Sequence, residues 1–349
     1  MFLLTLIVFI VIIGILILFH ELGHFSVAKF SGVKVEEFGI GFPPRLLKIK
    51  KGETIYSINA IPFGGFVRLL GEDGKSDAKN SFNSKKTRIK IAIIAAGVVM
   101  NFIFAGVLFS IGYMIGMSPI RLNPDKFGGT RKDIVVVGSI VDGSAAQGAG
   151  IKVGDEILGF ASPEDFNTFT TSHKGQEVKI DLKRSKKNET KDVFLGQGEV
   201  PLGVGLISIP IVKLGFLRAI AAGFTELVYT TYFVLKMIII IIGQLLFQFK
   251  LSQDIAGPVG IFNITGRAVS FGLVYVLQLA AILSINLGII NFIPFPALDG
   301  GKAALLFAEG IARRKLIRAE LENILSLIGF ALLIILLTSV TVREIIKLL

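Results

Sequence analysis

The run His20-Glu21-Leu22-Gly23-His24 sets two imidazoles four residues apart, with a carboxylate directly after the first. On a helix, residues four apart share a face, so both rings can address one cation while Glu21 stands beside them to take a proton from water. Imidazole suits zinc, and a catalytic zinc site wants three protein ligands with a fourth position left for water. The chain has no cysteine, so any metal is held by nitrogen and oxygen. The only other histidine, His173, lies in a separate polar segment, and unless that segment folds inward a carboxylate must complete the set. Asp299 is the leading candidate. It closes the apolar run 286–298 within Asn291-Phe292-Ile293-Pro294-Phe295-Pro296-Ala297-Leu298-Asp299-Gly300-Gly301, where two prolines remove backbone donors and two glycines loosen the chain. An interrupted helix in an apolar setting needs a wet cavity or a ligand for its freed polar groups. A plain helix N-cap is the bland alternative for Asp299. Glu226, Asp254 and Glu309 are weaker candidates, because none has a comparable broken-helix setting.

The elements that must position these residues are membrane helices. Of the 349 residues 52% are hydrophobic, tryptophan is absent and the mean hydropathy is +0.71, well above a soluble globular chain. The apolar residues gather in stretches of about 20 or more, the length that crosses a hydrocarbon core roughly 30 Å thick. Charged groups in such a span cost about 2.5 to 3.5 kcal/mol each on insertion scales, so three together require a compensating interaction. This argues against a chance HExxH. The net charge of +11 does not imply nucleic acid: no basic patch is interleaved with aromatics, and membrane proteins accumulate Lys and Arg in cytoplasmic loops.

Along the chain, residues 1–28 read as a first retained span ending in the HExxH run, because no basic n-region or small-residue cleavage site precedes it. Residues 29–88 form a basic loop rich in β-formers, with Gly64-Gly65 as a turn, and the positive excess puts this loop on the cytoplasmic side. A second span covers 89–117, and 121–206 is a polar module on the other side with strands at 134–137 and 177–182. Residues 214–249 are apolar but carry Arg218, Glu226, Lys236, Gln244 and Gln248. If they crossed fully, the basic run Arg313-Arg314-Lys315 would fall outside, so 207–265 is expected to be an interfacial or partly inserted helical region. Residues 266–301 form a third span, and 302–349 a cytoplasmic loop and last span. Four spans then bring the ends of the first and third to the same depth.

With these motifs in hand, the chain resembles the site-2 protease family of intramembrane zinc metalloproteases, most closely its bacterial regulator-of-sigma-E branch. The matching pieces are Phe19-His20-Glu21-Leu22-Gly23-His24-Phe25, Ile61-Pro62-Phe63-Gly64-Gly65-Phe66-Val67, Asn101-Phe102, Ser284-Ile285-Asn286-Leu287-Gly288 and the 291–301 motif. The segments Gly143-Ser144-Ala145-Ala146 and 149–158 resemble a PDZ domain. The implied fold is a multi-pass α-helical membrane protein of about four transmembrane helices, with a membrane-associated β-hairpin region and one inserted PDZ-like α+β domain. By that resemblance His20, His24 and Asp299 bind Zn2+ and Glu21 is the general base. Gly64, Gly65 and Phe66 belong to a hairpin that pairs with an unwound substrate strand. Asn286 and Asn291 hold the substrate backbone or polarise its carbonyl, with interhelical hydrogen bonding as the alternative, and Pro294 and Pro296 shape the strand-binding side of the cavity. The family often has proline, glycine, and His or Arg where Val98, Pro43 and Lys302 stand; none of these touches a zinc ligand.

The partners so implied are transmembrane protein substrates such as anti-sigma factors or remnant signal peptides, the lipid bilayer, and a peptide or ectodomain contact through the PDZ-like domain. The implied location is the bacterial cytoplasmic (inner) membrane, with that domain on the extracytoplasmic side. Two rivals stand against this reading. An intramembrane metal-ion carrier predicts further ligands along a path, and a catalytically idle PDZ scaffold leaves Glu21 unexplained.

Overall fold

The computed structural model describes residues 1–72, 76, 78–123, 126–184, 187–248 and 256–348. Asp254, one of the weaker ligand candidates, lies outside them. Among the described residues, five helices are long and apolar enough to cross a membrane: α1 (Phe2–Phe30), α2 (Thr87–Ile115), α5 (Phe216–Gln248), α7 (Leu273–Phe292) and α9 (Ala319–Leu348). At 1.5 Å per residue, the 29 residues of α1 extend about 43 Å, more than a hydrocarbon core requires. Their outward side chains, Leu3, Ile7, Val11 and Ile15 among them, are exposed, as a lipid-facing surface demands. The protein is an integral membrane protein.

The candidates number five where charge parity gives four crossings, and the additional candidate is α5. Its polar residues do not break it. Glu226 is fully buried and takes hydrogen bonds from the Tyr113 hydroxyl at 2.5 Å and from the backbone N–H groups of Arg121 and Leu122 at 2.7 and 3.2 Å. A carboxylate satisfied in this way does not need to reach water.

The chain divides into two compact units. The first holds residues 1–107, 230–264 and 280–349. Here β1 (Val35–Lys51) and β2 (Thr54–Leu69) follow α1. Their register shows that each strand folds over itself: Glu37 to Ile40 advance in step with Ile55 to Ile58 on one side, and run against Gly65 to Arg68 on the other. Residues 47–51 close a hairpin with 54–58 through Gly52. The chain changes direction between Ile61 and Gly65, and Gly64 takes a φ of +122° there. An added Cβ at Gly64 would also strike the Phe42 ring, so a glycine is required on both counts. Ala28, Val33, Val35, Leu69, Phe82, Ile93 and Ile94 form a buried cluster that ties the end of α1, the strands and the start of α2 together. The helices α6 (Pro258–Phe271) and α8 (Asp299–Ala312) complete the order around α7.

The second unit holds residues 108–229 and 265–279. Its five strands are β3 (Thr130–Ile140), β4 (Glu156–Ile157), β5 (Glu177–Arg184), β6 (Lys187–Phe194) and β7 (Val204–Lys213), in the antiparallel order β6-β5-β4-β3-β7. Two short helices, α3 (Ala145–Gly148) and α4 (Pro163–Ser172), start at Ser144 and Ser162, whose hydroxyls accept from Gln147 and Asp165 backbone N–H groups. The alternation Val178, Ile180, Leu182 along β5 faces a core that includes Val135, Val137, Phe166 and Leu195.

Candidate metal centre

Three ring or carboxylate atoms meet inside the first unit. His20 Nε2 lies 2.9 Å from Asp299 Oδ2, His24 Nε2 lies 3.2 Å from the same oxygen, and the two Nε2 atoms are 3.2 Å apart. Helical periodicity stacks His20 and His24 on one face of α1. Asp299 arrives from the far end of the chain because α7 stops at Phe292 and the backbone turns through 293–298, with Ala297 in the left-handed region at φ +79°. Leu298 caps α8, so Asp299 is the first helical residue, where the helix dipole favours a carboxylate. Gly300 and Gly301 do not loosen this turn but allow it to close. A Cβ on either would strike the carbonyl oxygens of Phe292, Ile293 or Phe295.

The second helix shapes the site from behind. His24 Nδ1 lies 2.8 Å from the carbonyl oxygen of Ile93, which can only accept, so the hydrogen is on Nδ1 and the Nε2 lone pair is free. Gly97, one turn on, leaves room for both rings: an added Cβ would run into His24 Nε2 and the His20 ring. Gly23 does the same for the backbones, since a Cβ there would meet the Ala96 carbonyl. Asn101, a further turn along, places Nδ2 3.1 Å from His20 Nδ1. Ile93, Gly97 and Asn101 thus mark one face of α2 at four-residue spacing.

Two ring nitrogens and a carboxylate oxygen converging within 3.2 Å of one another need hydrogens or a positive charge among them. A hydrogen on His20 Nε2 meets this need only in part: it can bridge to Asp299, but His24 Nε2, whose ring hydrogen faces the Ile93 carbonyl, still meets the carboxylate lone pair to lone pair. A single divalent ion meets it fully. A tetrahedral zinc about 2.0–2.1 Å from each ligand atom keeps those atoms roughly 3.3 Å apart, close to what is seen. Among the described residues His20, His24 and Asp299 are the one group of His, Asp or Glu side chains arranged to share an ion. Asp299 Oδ2 is buried and faces these two ring nitrogens, as a ligand atom would.

A cavity of about 190 Å³ opens onto these atoms. Glu21 lines it beside the imidazoles, and Gly65, Phe66 and Val67 form the opposite wall. A Cβ added at Gly65 would come 3.1 Å from Glu21 Cγ, so the strand passes directly against the general-base candidate. Among the described residues, 65–69 pair as a strand with β1 on one side alone. Lys302, one turn beyond Asp299, bonds Glu72 Oε1 at 3.1 Å at the same cavity. Burial opposes the Lys302 charge, but the Glu72 carboxylate outweighs it and raises the ammonium pKa.

Not every expected residue joins this cavity. Asn291 does approach it, with Nδ2 3.4 Å from His20 Nε2. Asn286 is half-buried on α7 and is not among the lining residues. Pro294 and Pro296 line a different cavity of about 160 Å³ with Leu305, Ile317 and Leu325, not the strand-facing wall expected of them. The left-handed Ala297 turns the chain so that the prolines face α9, where the Pro296 carbonyl packs on Gly329. His173 bonds the Phe169 carbonyl at 2.8 Å in its own unit. Gly97 and Ile93 were not singled out by sequence reasoning. The signal that finds them is a Gly and an Asn four residues apart on an otherwise apolar helix.

Helices long and apolar enough to cross a membrane, together with three atoms placed to share one metal ion, point to a membrane-embedded metalloenzyme. The comparisons make the class particular. The model of peptidase family M50 matches residues 8–336. A Clostridium acetobutylicum protein carrying a provisional zinc-metalloprotease name is 36% identical over 95% of both chains. The zinc metalloprotease RasP of Bacillus licheniformis is 32% identical over 98% of both, and the regulator of sigma-W protease RasP of Bacillus subtilis 31% identical over 99% of both. The chain belongs to peptidase family M50, the site-2 protease family, and is an intramembrane zinc metalloendopeptidase whose cofactor is Zn2+.

Proposed function

We propose that this protein hydrolyses peptide bonds within or near transmembrane segments of other membrane proteins, with His20, His24 and Asp299 as the zinc ligands and Glu21 as the general base. The observation that carries this reading is the triangle of 2.9, 3.2 and 3.2 Å formed by two Nε2 atoms and one carboxylate oxygen. Zinc, when bound, polarises a carbonyl and acidifies water. Glu21 takes the proton from the attacking water and hands it to the leaving amine. The substrate enters as an extended segment, because helical amides are already hydrogen-bonded and shielded. The other edge of residues 65–69 accepts that segment as an added strand, and the close approach of Gly65 to Glu21 sets the scissile bond beside the base. Asn291 holds the substrate backbone near the ligands. Asn286 and the two prolines act at a distance, by shaping α7 and the turn before α8.

The five-stranded unit is a PDZ-like domain on the extracytoplasmic side of the bacterial inner membrane, where it contacts substrate ectodomains. Its support is the small antiparallel sheet with two serine-capped helices and the run Gly143 to Leu158. Anti-sigma factors and remnant signal peptides are the substrate classes this arrangement suits. The name of the Bacillus subtilis relative, a regulator of sigma-W protease, supports the first.

The test is cleavage of a model transmembrane substrate by the reconstituted protein carrying Glu21→Gln. Loss of cleavage by about 100-fold or more with zinc content unchanged is expected for a general base. Cleavage at the parental rate removes Glu21 from the chemistry.

A further inference from the structure

Asn101 is fully buried on α2, and its position suggests a role in ligand geometry beyond packing. Its Nδ2 lies 3.1 Å from His20 Nδ1, while its Oδ1 is buried with no hydrogen-bond partner. The Ser284 hydroxyl donates to the Asn101 carbonyl at 2.8 Å, fixing this turn of α2 against α7. The two amide atoms exchange places on a half-turn of the side chain, and which one faces the ring follows from the hydrogen bonding around it.

His24 supplies the standard for comparison. Its Nδ1 faces the Ile93 carbonyl, an obligate acceptor, so its Nε2 is bare and aimed at Asp299. His20 Nε2 is aimed at the same oxygen. If Asn101 presented Nδ2, it would donate to His20 Nδ1 and force the ring hydrogen onto Nε2, where it would block a cation. If it presents Oδ1, the oxygen accepts from Nδ1–H and Nε2 is bare, matching His24. The half-turn breaks no hydrogen bond that Oδ1 now makes.

We propose that Asn101 is a positioning residue: its carbonyl oxygen accepts from His20 Nδ1–H, locking the ring in the tautomer and orientation in which Nε2 can ligate zinc. The proposal rests on His20 being a ligand. Outer partners of this kind typically change metal affinity by about 10–100-fold when removed.

The experiment measures zinc affinity by chelator competition on the full-length protein in detergent, for Asn101→Leu, Asn101→Asp and a His20→Ala control. Melting of each zinc-free protein reports the fold separately. Asn101→Leu is expected to weaken zinc binding by about 10–100-fold, whereas Asn101→Asp, which can only accept, stays within about threefold of the parent. The visible spectrum of the cobalt-loaded Asn101→Asp protein is expected to match that of the parent. Loss of affinity in Asn101→Asp with zinc-free melting unchanged overturns the proposal, because it means that Asn101 acts as a donor. Parental affinity in Asn101→Leu also overturns it. If Asn101→Leu does not fold, Asn101→Asp decides alone. Parental affinity in His20→Ala would instead defeat the ligand assignment itself, an outcome distinct from either.

Discussion

Two carboxylates in this molecule occupy similar positions, each just after a turn and at the threshold of the next element, yet their neighbours are of opposite kinds. Asp155, in the five-stranded unit, is 1% exposed and receives Arg184 Nε at 2.7 Å, Arg184 Nη2 at 2.6 Å and the Lys152 backbone N–H at 2.8 Å. Every partner is a donor, and the charge is balanced within the fold. Asp299 meets two imidazole nitrogens, and in one of these rings the other nitrogen faces the Ile93 carbonyl, which places the hydrogen of the neutral ring there. Its nearest cationic side chain along α8, Lys302, is committed to Glu72 instead. Asp155, kept for structure, is surrounded by donors. Asp299, which we propose ligates zinc, faces two imidazole ring nitrogens instead, the neighbours a shared metal ion requires.

The sharpest way to break the contrast is to remove each carboxylate in turn. Asp299→Ala is expected to lower zinc affinity by more than about 100-fold, above the range for outer partners, and to abolish cleavage, with zinc-free melting little changed. Asp155→Ala is expected to do the reverse. Losing one partner of a buried pair costs roughly 3–5 kcal/mol, and because Arg184 is 25% exposed the lower end applies here, read as a lower melting temperature or faster proteolysis of the 121–213 region. Its zinc affinity should match the parent. A zinc defect in Asp155→Ala, or a purely structural defect in Asp299→Ala, would erase the distinction.

Gly97→Ala sharpens it from the side of the ligands. The added methyl collides with both rings, and overpacking of this kind costs about 1–3 kcal/mol, so zinc affinity is expected to fall by about 5–150-fold by the same chelator assay. Gly148→Ala, where nothing lies within 4 Å of the new Cβ, is the control and should leave zinc binding unaltered.

The smallest effect concerns a third carboxylate, Glu37, which is of the donor-surrounded kind. Burial opposes its ionisation, but the Ser57 hydroxyl and Arg45, both at 2.7 Å, prevail and hold its pKa below the ordinary 4.5. A lowered folded-state value means that the stabilisation is fully present above pH 4.5 and is lost as pH falls through the lowered pKa. Hydrogen exchange of residues 35–58, corrected for intrinsic rates, is expected to quicken over that acidic range in the parent. Glu37→Gln should show no such step.

Much of the centre could be read before any coordinates. The four-residue spacing of His20 and His24 needs only helical geometry, and Asp299 follows from a helix that two prolines must interrupt. What escaped the sequence depended on distant partners. How Glu226 in the apolar α5 is satisfied could not be read, because its partners Tyr113, Arg121 and Leu122 lie more than a hundred residues earlier. The direction of the 293–298 turn depends on the left-handed Ala297, which no residue preference announces, so the place of Pro294 and Pro296 in the lining of a second cavity could not be read from the sequence. The double pairing of Glu37 to Ile40 was equally hidden, since a strand's pattern shows which face is apolar but not how many neighbours it has.

The central claim, that the two ends of the polypeptide hold one zinc ion, is tested most directly by zinc K-edge X-ray absorption on the purified full-length protein. One zinc per chain is expected, with nitrogen and oxygen neighbours at about 2.0–2.1 Å and outer-shell scattering from two imidazoles that drops to one in His24→Ala. A spectrum without imidazole scattering, or one that His24→Ala and Asp299→Ala leave unchanged, would contradict it.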